Sequence, residues 1–260
     1  MLGFSGGLIE PLPLLFCPIS HSLMRDPVVT SDGHAYERQD IESKHLMFAP
    51  MGSVPDLLER FEDEVTLQHT RTFLVQVCSG MEALAESGLI HRDLALRSCL
   101  VFRLDPADAS ASSVKVSDFG LTIRCNGGEP NSVRGEEVLP TRYLAPESLQ
   151  KGRFSEKSDV WAFGVTAWEL LTFGSIPFTL IPERKVAERV IRGGRLPRPD
   201  SACDALWTLK ERCWAAAPKD RPSFAELGNL LLQVGVLKQE PPVVPIARCL
   251  DAPKISLRAS

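Results

Sequence analysis

The stretch from Asp159 to Phe173 is apolar nearly all round, with Val160, Trp161, Phe163, Val165, Trp168, Leu170 and Leu171 on every side. A helix without a solvent face marks a buried element. Several other segments carry helical patterns. Leu67, Phe73, Leu74, Val77, Met81 and Leu84 fall at helical spacing and predict an amphipathic helix of about 20 residues. Pro55 opens a short helix over Pro55–Arg60, in the first-turn position that tolerates it. Glu183–Ile191, Asp204–Trp214 and Ser223–Leu232 read as three further helices, and Ser223 with Glu226 forms a capping box at the start of the last. Cys99–Phe102 and Val114–Val116 read as paired short strands either side of a polar segment, 105–113. The expected fold class is α+β, mainly helical.

Composition narrows the function classes. The 260 residues are 44% apolar, enough to bury a substantial core in one or two domains. The net charge of −4 gives no broad nucleic-acid footprint. Residues 1–16 are mildly apolar but are interrupted by Glu10, Pro11 and Pro13 and lack a basic start, so they make a poor signal peptide. No apolar run approaches the ~20 residues of a spanning helix, so no membrane partner is expected. The cysteines, at 17, 78, 99, 125, 203, 213 and 249, are odd in number and contain no C-x-x-C pair. They read as reduced thiols of a cytoplasmic protein, with neither a disulfide framework nor zinc.

Three short motifs carry the chemistry. Ile90-His91-Arg92-Asp93-Leu94-Ala95-Leu96-Arg97-Ser98 is followed by Asp118-Phe119-Gly120, then by Ala145-Pro146-Glu147, with Asp159-Val160-Trp161-Ala162-Phe163-Gly164 beyond. In this order they resemble the catalytic half of the protein kinase family. An isolated Asp93 or Asp118 would read as a solvated turn carboxylate; the flanking order argues against that. Phosphoryl transfer asks the protein for positioning and charge neutralisation more than for covalent help. The resemblance implies ATP and Mg²⁺ as cofactors, Asp93 as the group that orients and deprotonates the substrate hydroxyl, Arg97 beside it in catalysis, and Asp118 as the metal ligand against the phosphates. It also implies Leu100 as the floor of the adenine pocket, though a plain strand residue needs no such role. His91, Phe119, Glu147, Asp159 and Arg221 are implied as structural, Asp159 bracing the catalytic loop and Glu147 pairing with Arg221.

Subtype signals are mixed. Ala95 and Arg97, Leu139-Pro140-Thr141-Arg142-Tyr143-Leu144 and Arg212-Cys213-Trp214 resemble tyrosine kinases, but Tyr143 stands where those usually carry Trp. Ser98 stands where the family has the Asn that binds a second Mg²⁺, which makes it a degenerate metal position. Residues 120–139 resemble the activation segment, rich in Gly, Asn and charge and expected to be mobile; it contains no Tyr. Ser132 and Thr141 are candidate phosphoacceptors for pairing with Arg92, with unmodified loop hydroxyls as the default.

Near the start, Cys17-Pro18-Ile19, Asp26-Pro27-Val28, Asp32-Gly33 and Tyr36-Glu37-Arg38 resemble the opening of a U-box, a zinc-free relative of the RING finger. That resemblance implies a ubiquitin-conjugating enzyme as partner, with Ile19 either its apolar contact or an ordinary core residue. Independently of family, Asp26-Pro27 and Ser31-Asp32-Gly33 are turn formers around a short strand at Val28-Val29-Thr30, which predicts a compact hairpin. The U-box pattern ends after Ile41, about half complete. The expected layout is an extension at 1–13, a partial U-box at 14–43, a kinase C-lobe at 46–235 beginning with a hinge strand at Leu46–Ser53, and a linker or disordered tail at 236–260.

Within these 260 residues no G-x-G-x-x-G occurs, and Lys44, the one lysine ahead of Asp93, has no strand before it. The kinase N-lobe is therefore expected to be absent. Removal of a single preorganised group commonly costs about 10²–10³ in rate. Three expectations stand: an ATP-dependent kinase acting on protein hydroxyls with impaired turnover, a pseudokinase-like docking module linked to ubiquitination, and, more weakly, a ubiquitin-protein ligase.

Overall fold

The computed structural model describes residues 49–125, 138–200 and 202–234, and the backbone of 27–29, 35–37 and 131–132. Ile19, most of the U-box-like stretch, the tail at 236–260 and much of the activation segment lie outside the described residues. The chain divides into two units between Phe48 and Ala49. Of the first, the described part is one antiparallel hairpin, β1 (Pro27–Val29) against β2 (Ala35–Glu37), with Val28 opposite Tyr36. The turn formers at Ser31-Asp32-Gly33 predict this hairpin.

The second unit is helix-rich. Its first helix, α1 (Val54–Phe61), opens on a capping box in which the Ser53 amide donates to Asp56 Oδ2 at 2.8 Å. The long helix α2 (Leu67–Glu86) opens at Thr66, whose amide donates to His69 Nδ1 at 3.2 Å. That bond makes Nδ1 the acceptor, so Nε2 carries the proton and donates to Asp105 O at 2.9 Å. Two short strands, β3 (Leu89–Ile90) and β4 (Cys99–Arg103), flank the loop that holds Asp93. Strand β4 pairs with β5 (Ser113–Val116), and β3 with β6 (Ile123–Arg124). Further on, β7 (Asn131–Ser132) pairs with β8 (Arg153–Phe154). Helices α3 (Pro146–Lys151), α4 (Glu156–Leu171), α5 (Glu183–Ile191), α6 (Asp204–Cys213) and α7 (Phe224–Val234) complete the unit.

Helix α4 is the centre of the core: every residue from Ser158 to Leu171 is buried. Helix α6 comes in close at Gly164, where an added Cβ would lie 2.7 Å from Trp214 Nε1 and 2.9 Å from Cys213 Cβ. Helix α7 packs on α2, with Arg71 Nη2 donating to Leu232 O at 3.1 Å. Its own start is the predicted capping box, Ser223 N to Glu226 Oε2 at 2.7 Å and Glu226 N to Ser223 Oγ at 3.1 Å. None of the helices among the described residues is long and apolar enough to cross a membrane.

Some expectations shift. In the segment predicted as a hinge strand, residues from Ala49 onward form a turn at Gly52 (φ 77°) and a single bridge from Ser53 to Leu100, with Val101 N donating to Gly52 O at 2.8 Å. A glycine is needed there because an L side chain disfavours that φ. Helix α3 was not predicted: six residues are too short to show a 3.6-residue period, and Pro146 in its first turn looks the same in a loop.

Lys210 is a cationic side chain enclosed in the core. It is 1% exposed, and its Nζ lies 3.1 Å from the Trp207 ring centre and 3.4 Å from that of Trp214, with no hydrogen-bond partner. Burial pulls the ammonium down to about 7, with Arg195 acting in the same direction and Glu211 against it. The folded chain thus releases a proton that the unfolded chain keeps up to about 10.5. Between those values the unfolded state binds more protons, so stability rises with pH, and the full penalty applies below about 7. Lys210→Met is expected to stabilise the protein at pH 7 by on the order of 1–3 kcal/mol and to flatten the rise, measured as melting temperature from pH 6 to 10.

Candidate active site

The site is built on a strained turn. Arg92 has φ 67°, the left-handed region that a long side chain seldom adopts. Asp159, in the first turn of α4 and 3% exposed, holds it there: Oδ2 accepts the His91 amide at 2.7 Å and Oδ1 accepts the Arg92 amide at 3.0 Å. Burial pushes the Asp159 carboxyl up to about 7, against the pull of those two amides. His91 then folds inward. Its Nδ1 accepts the Asp93 amide at 3.2 Å, so its Nε2 donates to Ser117 O at 3.0 Å. Burial holds its imidazole below the usual histidine range, and its ring meets Phe119 edge-on at 5.4 Å.

Asp93 is thereby fixed at its amide. Its carboxylate pairs with Arg97, four residues on. Burial raises this carboxyl, the Arg97 guanidinium opposes the rise, and the negative charge of Asp118 adds to it. Asp118 itself is exposed and has φ 64°, a second left-handed residue, leading into the 3₁₀ turn Phe119–Leu121. Phe119 is 51% exposed. Leu100, half-buried on β4, forms the bridge to Ser53.

Ser98 is fully buried, and its hydroxyl donates to Asp93 O at 2.8 Å. Its own carbonyl accepts both Ser117 N (2.8 Å) and Ser117 Oγ (3.0 Å), which locks the catalytic loop to the end of β5. The Ser98 hydroxyl is enclosed within the loop, whereas the carboxylate of Asp118 is open to solvent. Among the described residues no three His, Cys, Asp or Glu side chains cluster as a metal site.

Arg92 Nε donates to Leu121 O at 2.6 Å, and its guanidinium lies 5.3 Å over the Phe154 ring. The activation-segment side is tied down by neighbouring arginines. Thr141 begins a 3₁₀ turn, Thr141–Tyr143, in which Arg142 donates to the carbonyls of Pro177 (2.7 Å) and Phe178 (2.8 Å). Ser132 is described only as backbone, in β7. Glu147 takes two bonds from the wholly buried Arg221, at 2.6 and 2.8 Å, and Arg221 also donates to Ala215 O and Lys157 O.

Two contributors went unnoticed in the sequence reading. Glu169 on α4 and Ser117 at the end of β5 both touch the catalytic loop. Glu169 had a readable signal, an acid in a helix otherwise apolar on every side. Ser117 had none.

Residues 33–231 match the protein tyrosine and serine/threonine kinase family. The chain belongs to that family. It is 43% identical over 164 residues to the non-receptor tyrosine-protein kinase TNK1 of Homo sapiens, covering 63% of this chain and 24% of that one. It is 37% identical over 180 residues to the epidermal growth factor receptor of Apis mellifera, covering 69% and 13%, and 35% identical over 189 residues to tyrosine-protein kinase Fer of Rattus norvegicus, covering 73% and 22%. The chain thus spans a quarter or less of the length of these relatives. Kinases of this family generally use ATP and Mg²⁺ and act on proteins.

Asp159→Ala is expected to strand two buried amides and release the left-handed turn, at a cost of about 2–4 kcal/mol in urea denaturation. Asp159→Asn, which keeps one acceptor oxygen, should cost less.

Proposed function

We propose that this chain carries a tyrosine-kinase-like phosphotransferase site that moves the γ-phosphate of ATP to a protein hydroxyl, with turnover held down at the metal-binding step. The observation that carries this reading is the Asp93 carboxylate, pinned at its amide by His91 and charge-paired with Arg97. A base held in that way can accept a hydroxyl proton without first reorganising. Arg97 offsets the cost of keeping Asp93 ionised. Leu100 would floor the adenine pocket, and Asp118 would hold the Mg²⁺ that neutralises the phosphates. Ser98 keeps the brace to Asp93 O and supplies no second metal ligand, which is the source of the slow turnover.

The same Ser98 geometry favours a second reading, a pseudokinase-like docking module that binds protein partners without transferring phosphate. On the U-box resemblance of residues 14–43 that module would recruit a ubiquitin-conjugating enzyme through Ile19. The scattered, odd-numbered cysteines without a C-x-x-C pair are the ground for a cytoplasmic setting, and Cys78, Cys99 and Cys213 are buried free thiols.

Adding millimolar ATP and Mg²⁺ to the purified chain is expected to raise its melting temperature by about 2–4 °C or more. Transfer to a Glu/Tyr copolymer should be detectable and abolished in Asp93→Asn, and Ser98→Asn should raise it about tenfold or more. No thermal shift and no transfer would leave the docking module as the function.

A further inference from the structure

We infer that the exposed basic face of α5 is a docking surface for an acidic segment of the protein substrate. The inference deepens the phosphotransferase reading and rests on it for the word substrate; the surface itself follows from charge and packing. Residues 183–198 hold six cations and two acids, in a chain whose net charge is −4. Three of the six are engaged within the fold. Arg192 pairs with Glu188 at 2.8 Å, Arg195 donates to Trp214 O at 3.0 Å, and Arg198 pairs with Asp204 at 2.5 Å. Arg184, Lys185 and Arg189 are exposed and form no ion pair among the described residues.

Their placement works against the helix that carries them. Helix α5 opens at Pro182 with no side-chain cap, and Arg184 and Lys185 stand in its first turn. That end of the helix dipole is positive and disfavours cations. Lys185 and Arg189 are four residues apart on one face, a like-charge spacing that is also destabilising. Val186 and Val190 turn the opposite face into the core, which leaves the cations facing solvent. Breaking two local rules with no compensation inside the fold is characteristic of a functional surface. An anionic partner would relieve both penalties at once.

The neighbours of α5 indicate which anion. The helix packs on the turn Thr141–Tyr143 and on α3. The Arg97 guanidinium lies 5.1 Å over the Tyr143 ring of that turn, and Arg97 pairs with Asp93. One turn and one arginine thus separate the basic face from the carboxylate that would receive the substrate proton. The loop entering α5 is held to the same turn by Arg142, and it exposes Ile176 (60%) and Leu180 (96%). Exposed apolar side chains beside unpaired cations fit a polypeptide that carries acids and an apolar residue. A lipid or nucleic-acid surface would also meet the net negative charge of the rest of the chain, whereas a short acidic segment meets this face alone.

The test uses the full chain and tyrosine peptides carrying a Glu run before or after the acceptor, each with a Gln counterpart. Binding by fluorescence anisotropy and steady-state phosphate transfer are measured for the wild type, for Arg184→Glu/Lys185→Glu, and for the neutral Arg184→Gln/Lys185→Gln. Charge reversal places acids in the first turn of α5, so that variant is expected to melt no lower than the wild type. At low salt one Glu peptide is expected to bind about tenfold or more tighter than its Gln counterpart, with KM lowered to match and kcat unchanged. The gap should close at about 0.5 M NaCl and disappear in both variants. Equal binding of Glu and Gln peptides, a preference that survives in the variants, or a preference confined to kcat would overturn the docking surface. So would phosphatidylserine vesicles or single-stranded DNA binding more tightly than the Glu peptide and losing that binding in the variants. A wild type that transfers no phosphate overturns the phosphotransferase reading alone, and the binding comparison then decides whether an acidic segment docks on α5.

Discussion

The two amide-to-carboxylate bonds from His91 and Arg92 to Asp159 are the interaction on which the site depends. They join the central buried helix of the unit to a left-handed turn. Arg92 adopts a left-handed conformation that a free chain would leave, at a cost of order 1 kcal/mol or more. The Asp159 carboxylate makes that conformation the one that satisfies two buried donors at once. Because α4 is packed on all sides, its carboxylate cannot move away, and the turn inherits the rigidity of the core.

From that turn the remaining geometry follows in short steps. His91 swings under Asp93, Arg97 returns to the Asp93 carboxylate, and Ser98 closes the loop onto the Asp93 carbonyl. Departures from the family pattern fall at Ser98 and Tyr143. Ser98 makes a bracing bond to the Asp93 carbonyl, which bears on the loop itself. Tyr143 is tied to a buried acid, Glu169, which bears on the loop's shape.

Much of this was legible in the sequence. The apolar run from Val160 to Leu171 announced the central helix because burial on every face erases periodicity, and Glu183–Ile191 came out with the bounds expected of it. The order of the three motifs pointed to the family. The structure gives the positions of Asp93, Asp118 and Leu100, and their roles belong to the proposed function. What the sequence hid was long-range pairing. Glu169 stands out as an acid among apolar neighbours, but nothing local says that its partner is Leu96, 73 residues away. Lys210 was equally silent: in a helix of mixed composition a lysine reads as solvent-facing, and only the packing of Trp207 and Trp214 shows that it is enclosed. The hairpin of β1 and β2, the described part of the first unit, is one that turn chemistry predicts without reference to any family.

The most direct test of this account is native-state amide exchange at His91 and Arg92. If Asp159 holds the turn as a part of the core, both amides exchange only through global unfolding, among the slowest in the protein and as slowly as those in the middle of α4. Exchange at the rate of an exposed loop, with α4 still protected, would show that the turn opens independently and would contradict the claim that the core sets the site.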